Sequence, residues 1–112
     1  MSVKVRNPFR VAIVLAALCG GAVQPAMADG DAEVGRALSS GWCASCHMID
    51  AVHGSATASG VPTFQGIAAM PSTTTLSLRA FLRSPHVRMP DLHLTNQEIE
   101  DLSAYILSLR RR

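Results

Sequence analysis

Cys43-Ala44-Ser45-Cys46-His47 is the segment of this 112-residue chain with the clearest chemistry. Two thiols three positions apart lie within about one helical turn of each other. They can reach two neighbouring points on one edge of a flat group, and the next residue presents an imidazole to its centre. C-x-x-C-H is the attachment signature of haem c. The thiols would form thioether bonds to the vinyl groups, and His47 would face the iron. Other chemistries of the pair fit less well. A redox disulfide of thioredoxin type normally accompanies a strand–helix pattern, which is missing. A structural zinc site needs four ligands, and His53, His86 and His93 form no second paired cluster. A structural disulfide across two residues would close almost no loop.

Iron held by a histidine has a further axial position, and what fills it decides the chemistry. A methionine or histidine there gives an electron-transfer centre, whereas an open position gives ligand binding or catalysis. Met48 directly follows His47 and cannot turn back to the opposite face. Met70 lies 24 residues past Cys46, and Met89 lies 43 past it, each followed by a proline. Met89 falls in an extended stretch just before the best-marked helix, from which a thioether can wrap under the haem, so Met89 is the expected sixth ligand. Met70, His86, His93 and an open position are the alternatives.

The elements that must position these groups are helical. Asp31 can cap a helix running to about Ser39 or Ser40, with Val34, Ala37 and Leu38 on one face. Gly41-Trp42 then leads into the cysteine motif. Residues 49–62 are rich in Gly, Ser, Ala and Thr and read as a loop. Pro62 to Ala68 can hold a short helical turn. Ser72 to Thr75 offers caps for a helix through about Arg83, stopped by Ser84-Pro85 because a residue before proline avoids the helical region. Thr95-Asn96-Gln97-Glu98 is a capping box. Ile99, Leu102, Ile106 and Leu109 follow it as one apolar stripe. Glu98, Glu100 and Asp101 in the first turns, and arginines in the last, would complement the helix dipole. No strand pattern is long enough for a sheet, so the expected class is all-α with long loops.

The N-terminus is a separate unit. Lys4, Arg6 and Arg10 precede an uncharged run from Val11 to Val23, and Ala26-Met27-Ala28 follows. This order reads as a secretory signal peptide over residues 1–28, with the mature domain at 29–112. The run of about 13 residues is short for a membrane span of about 20. An uncleaved anchor is the alternative, whereas Leu18 before Cys19 argues against a lipoprotein signal. The mature chain would carry seven arginines and eight acids. Such a balance makes no case for nucleic acid. Arg110-Arg111-Arg112 reads as a solvated helix-end tail, with partner docking as the alternative. Four aromatics, Trp42, Phe64, Phe81 and Tyr105, are a thin core for 84 residues; a small domain needs internal support, which a haem would give.

The order of these parts resembles the class I c-type cytochromes over nearly the whole mature chain. The resemblance implies a small helical domain wrapped around one covalently bound haem, and an electron carrier that turns over no substrate. Crossed N- and C-terminal helices would meet at Gly35 and Tyr105. The family often has an aromatic one turn after the glycine; Ser39 stands there, and Trp42 is the aromatic that could compensate. In the family a proline carbonyl accepts the N–H of the proximal histidine. Pro62 matches that proline, with Val61 in place of the usual glycine before it; an ordinary loop proline is the alternative. Phe64, Ile67, Phe81, Leu94, Leu102 and Ile106 are the expected apolar haem pocket. The expected function is electron transfer in the periplasm between a redox protein donor and an acceptor, with no stable membrane insertion after cleavage. A bound subunit of a larger dehydrogenase or oxidase, and a peroxidase-type or ligand-binding haem protein, are the alternative functions.

Overall fold

The computed structural model describes residues 29–54, 60–84 and 88–110. The signal peptide assigned to residues 1–28 lies outside these, as do His86, Arg111 and Arg112. Four helices follow in order: α1, Ala32–Trp42; α2, Phe64–Ala69; α3, Thr75–Arg83; and α4, Asn96–Ser108. No strand occurs among the described residues. The expected all-α class holds.

Each helix starts where the sequence supplies a cap. The Asp31 carboxylate accepts the N–H groups of Glu33 and Val34 at 2.8 and 3.2 Å. Thr63 caps α2 by accepting Gly66 N–H at 2.9 Å. Thr74 opens α3 in a capping box whose return bond comes from Ser77 rather than a glutamate. Thr95 and Glu98 form the expected box on α4, with Thr95 N–H donating to Glu98 at 2.7 Å. That bond and the one from the Thr95 hydroxyl hold the Glu98 carboxyl below its ordinary pKa.

One boundary differs from expectation. α1 runs on to Trp42, because Ser39 and Ser40 turn their hydroxyls back to Gly35 O (2.7 Å) and Arg36 O (3.0 Å). Each hydroxyl shares an i−4 carbonyl inside the helix rather than bonding backbone outside it, so the serines are accommodated without ending the helix. Cys43 N–H continues the ladder to Ser39 O at 2.9 Å. The helix thus delivers its last turn directly into the attachment motif.

α4 is the axis of the domain, buried on more than the expected stripe. Ile99, Leu102 and Ile106 are buried as expected, and so are Glu100, Asp101, Ser103 and Tyr105. The two acids, expected only to complement the helix dipole, receive partners from other elements. Glu100 takes a two-pronged bond from Arg79 of α3, with Nη2 to Oε2 at 2.7 Å. Asp101 accepts the Asp31 N–H at 2.8 Å, which ties the start of α1 to α4. The expected solvated tail is also corrected at Arg110. Its guanidinium donates to Ala68 O at 2.9 Å and to Thr73 O, pinning the turn between α2 and α3.

α1 crosses α4 at backbone contact. A Cβ on Gly35 would sit 2.0 Å from Asp101 O and 2.9 Å from Tyr105 Cβ; one on Gly30 would sit 2.0 Å from Glu100 O. Tyr105 is buried and donates its hydroxyl to Ile49 O at 3.0 Å. Ser39 is fully buried, while Trp42 is 44% exposed and does not serve as the compensating aromatic. Overpacking a tight contact costs about 1–3 kcal/mol. Gly35→Ala should therefore lower unfolding free energy by about 3 kcal/mol, the upper end of that range, because backbone rather than a flexible side chain blocks the methyl. Denaturant unfolding of purified protein measures it, and an unchanged midpoint would contradict the crossing geometry.

Candidate functional site

The attachment motif is a single turn on the end of α1. Cys46 N–H and His47 N–H both donate to Cys43 O, at 3.1 and 2.9 Å. Cys43 is buried, Cys46 is exposed, and neither is in a disulfide. Burial, with Cys46 beside it, pushes the Cys43 thiol up to about 11.

His47 is held from three sides. Its Nδ1 lies 2.7 Å from Pro62 O. A carbonyl can only accept, so Nδ1 carries the hydrogen and the lone pair is left on Nε2. The Phe64 ring packs against the imidazole at 5.3 Å and 53°, and Tyr105 backs Phe64 at 6.3 Å and 58°. Behind the histidine, Gly54 closes on its backbone at φ +113°, where a Cβ would sit 2.0 Å from His47 O. Only glycine accommodates both that conformation and that approach. Phe64 N–H donates to Met48 O at 2.9 Å, which fixes the start of α2 beside the motif.

The loop after the motif is built on Asp50, whose role was not foreseen. Its carboxylate accepts Val52 N–H at 2.9 Å, His53 N–H at 2.7 Å and the His53 ring at 2.9 Å, and Arg36 reaches it at 3.3 Å. An aspartate bonding backbone two and three residues on is an Asx-type turn. The Asp50-Ala51-Val52-His53 order, opened by an aspartate, was the available signal. The Val52 N–H, above all, and the His53 bonds hold the Asp50 carboxyl down to about 2.

The structure thus brings together Cys43, Cys46, His47, Pro62 and Phe64. Met89 lies on the connection between α3 and α4, partly buried between exposed Arg88 and Pro90. Met70 is the residue that ends α2 and is 46% exposed. Of the expected pocket residues, Phe64, Leu102 and Ile106 are in the core, and Ile67 and Leu94 pack against it. Phe81 is half exposed on the polypeptide itself, while Leu78 of the same helix is in the core.

The Cytochrome c family model matches residues 32–110, from the first residue of α1 to Arg110. The chain belongs to the cytochrome c family. It is 43% identical over 81 residues to cytochrome c-552 of Bradyrhizobium diazoefficiens, covering 71% of this chain and 76% of that protein. No solved structure matches. Membership brings one covalently bound haem c and electron transfer as the function. The donor set fits that group: two unbridged thiols one turn apart, and an imidazole whose Nε2 lone pair is left available. No helix among the described residues is long and apolar enough to cross a membrane.

Asp50 sets an acid limit on this loop. Its folded pKa is depressed, so its stabilisation is complete above the unfolded carboxylate value of about 3.9. Between there and about pH 2 the unfolded chain binds the proton more readily, and the contribution is lost as pH falls. Amide exchange should show Val52 and His53 losing protection over that window. Asp50→Asn should flatten that dependence, and an unaltered acid profile would rule the mechanism out.

Proposed function

We propose that this cytochrome is a periplasmic monohaem electron carrier in which Cys43 and Cys46 tether the haem, His47 and Met89 are its axial ligands, and Pro62 orients His47. The observation that carries the reading is the 2.7 Å contact between His47 Nδ1 and Pro62 O. A histidine ligand whose second nitrogen is bonded to a carbonyl has its tautomer and ring plane fixed, and its basicity raised. Phe64 supports the same orientation from the ring face. The haem supplies the Fe(III)/Fe(II) couple when bound; the chain's own part is to hold the axial groups in place and keep the metal out of water.

The assignment of Met89 over Met70 is supported by their settings. Met89 stands on the connection between α3 and α4, from which a thioether can wrap to the face opposite His47, whereas Met70 ends a helix tied by Arg110. A thioether opposite histidine favours ferrous iron and raises the potential relative to two histidines. With both axial positions taken by the protein, no substrate is turned over at the iron. Residues 1–28 act as a signal peptide removed after Ala28, which leaves the domain in the periplasm with a redox donor and acceptor as partners.

Two measurements test this. The ferric protein should be low-spin with a sulfur–iron charge-transfer absorption, and Met89→Ala should abolish that absorption while Met70→Ala leaves it intact. High-spin iron in the unsubstituted protein would instead place it with ligand-binding or peroxidase-type haem proteins. The mass of the exported protein should equal residues 29–112 plus one haem, and retention of residues 1–28 would indicate an anchor.

A further inference from the structure

α3 and α4 are joined by two polar rungs in antiparallel register. Arg79 reaches Glu100 in a two-pronged ion pair, with Nη2 to Oε2 at 2.7 Å. Four residues further along α3, Arg83 Nη2 donates to Asn96 Oδ1 at 2.7 Å, four residues earlier on α4. Both steps are about one helical turn, so the rungs lie one above the other. The outer rung joins the last residue of α3 to the first residue of α4. Those two residues bound the connection that carries Met89, which stands five residues after Ser84 and six before Thr95.

The inner rung is costly to build. Glu100 is only 5% exposed. Arg79 keeps 32% of its side-chain surface exposed, but the Glu100 carboxylate must leave water, and a buried charge paired in this way is seldom worth more than apolar residues of the same volume. What it adds over an apolar contact is register. Leu78, Leu102 and Ile106 belong to one core, and leucine contacts alone tolerate sliding. A two-pronged guanidinium–carboxylate bond fixes both distance and plane, and the Arg83–Asn96 rung repeats the constraint at the ends of the helices.

We propose that the Arg79–Glu100 and Arg83–Asn96 rungs are a register lock that positions Met89 for the iron; this rests on the reading of Met89 as the sixth ligand. Fixing both ends of the twelve-residue connection restricts where its middle can go, and so raises the effective concentration of the thioether at one point in space. The four residues are positioning residues. They act through the helix ends, and a slip of less than one turn would break both rungs together.

The test is an imidazole titration of the ferric holoprotein, read by the sulfur–iron charge-transfer absorption. Imidazole takes the axial site only when the thioether is off, so its apparent affinity reports the fraction of molecules with Met89 displaced. Glu100→Gln should bind imidazole about tenfold more tightly, and Arg83→Met about threefold. Arg79→Lys, which keeps the charge but loses the fork, should fall between the wild type and Glu100→Gln. Asp31→Ala, which removes the α1 cap but keeps the Asp31 N–H bond to Asp101, is the control for general destabilisation and should leave imidazole affinity unchanged. If Glu100→Gln does not fold, Arg83→Met decides, because that rung is exposed. Wild-type affinity in the folded rung variants, or an equal gain in Asp31→Ala, would overturn the lock. Persistence of the absorption in Met89→Ala would instead remove the sixth-ligand reading itself, and the lock with it.

Discussion

The contact of two backbones, α1 at Gly35 against α4 at Asp101, is the constraint on which the rest of the domain depends. Helix axes normally sit 8–10 Å apart because side chains separate them. Here a Cβ at Gly35 would fall 2.0 Å from the Asp101 carbonyl, so the helices meet without that separation. Gly30 repeats the approach one residue before the Asp31 cap. The consequence is that α1 has a fixed height and direction on α4. Its C-terminal end, and the cysteine turn that follows it without a break, are therefore placed by a contact made two turns away.

From that crossing a chain of short-range constraints leads to the histidine. Tyr105, which flanks the Gly35 contact, reaches over to Ile49 with its hydroxyl and backs the Phe64 ring. Phe64 in turn faces the His47 imidazole and takes its backbone position from Met48 O. Pro62 then holds Nδ1, while Gly54 closes from behind. No single member is a strong interaction. A neutral hydrogen bond contributes about 1 kcal/mol net, and an aromatic pair contributes a similar amount. Their value is geometric, since each removes a different freedom of the same ring.

The sequence made the local parts legible because they rest on local physics. Caps at Asp31, Thr95 and Glu98, and the proline stop near Ser84, are read from neighbouring residues, and so is the spacing of Cys43, Cys46 and His47. What it hid depends on contacts between distant segments. Glu100 and Asp101 look like ordinary first-turn acids until Arg79 and the Asp31 N–H arrive from elsewhere. Arg110 looks like the start of a solvated tail until Ala68 and Thr73 turn their carbonyls to it. Ser39 and Ser40 look like helix stops until their hydroxyls are seen bonded within the helix. Trp42 and Phe81 are half exposed on the polypeptide, and hydrophobicity alone does not say which side of a helix faces in. In α3 that choice falls to Leu78 and to Arg79 beside it.

The scarcity of aromatics also explains why so many of the joints are polar. A domain spanning residues 32–110 has little apolar surface to bury, and α4 must serve as the contact surface for every other element. A helix surrounded on all sides cannot be apolar on one stripe only. It can be uniformly apolar, or it can carry polar groups that meet partners. This one takes the second course: Glu100 faces Arg79, Asp101 faces the Asp31 N–H, and the Tyr105 hydroxyl faces Ile49 O. Apolar contacts hold elements together but leave their register loose, whereas satisfied polar contacts specify one arrangement. The axial ligands proposed for the redox centre, His47 and Met89, come from segments more than forty residues apart, and such a centre needs that single arrangement more than it needs extra stability. In this chain, the polar joints to α4 hold α1, the loop after the motif and α3 to one axis, and so relate both ligand-bearing segments to it.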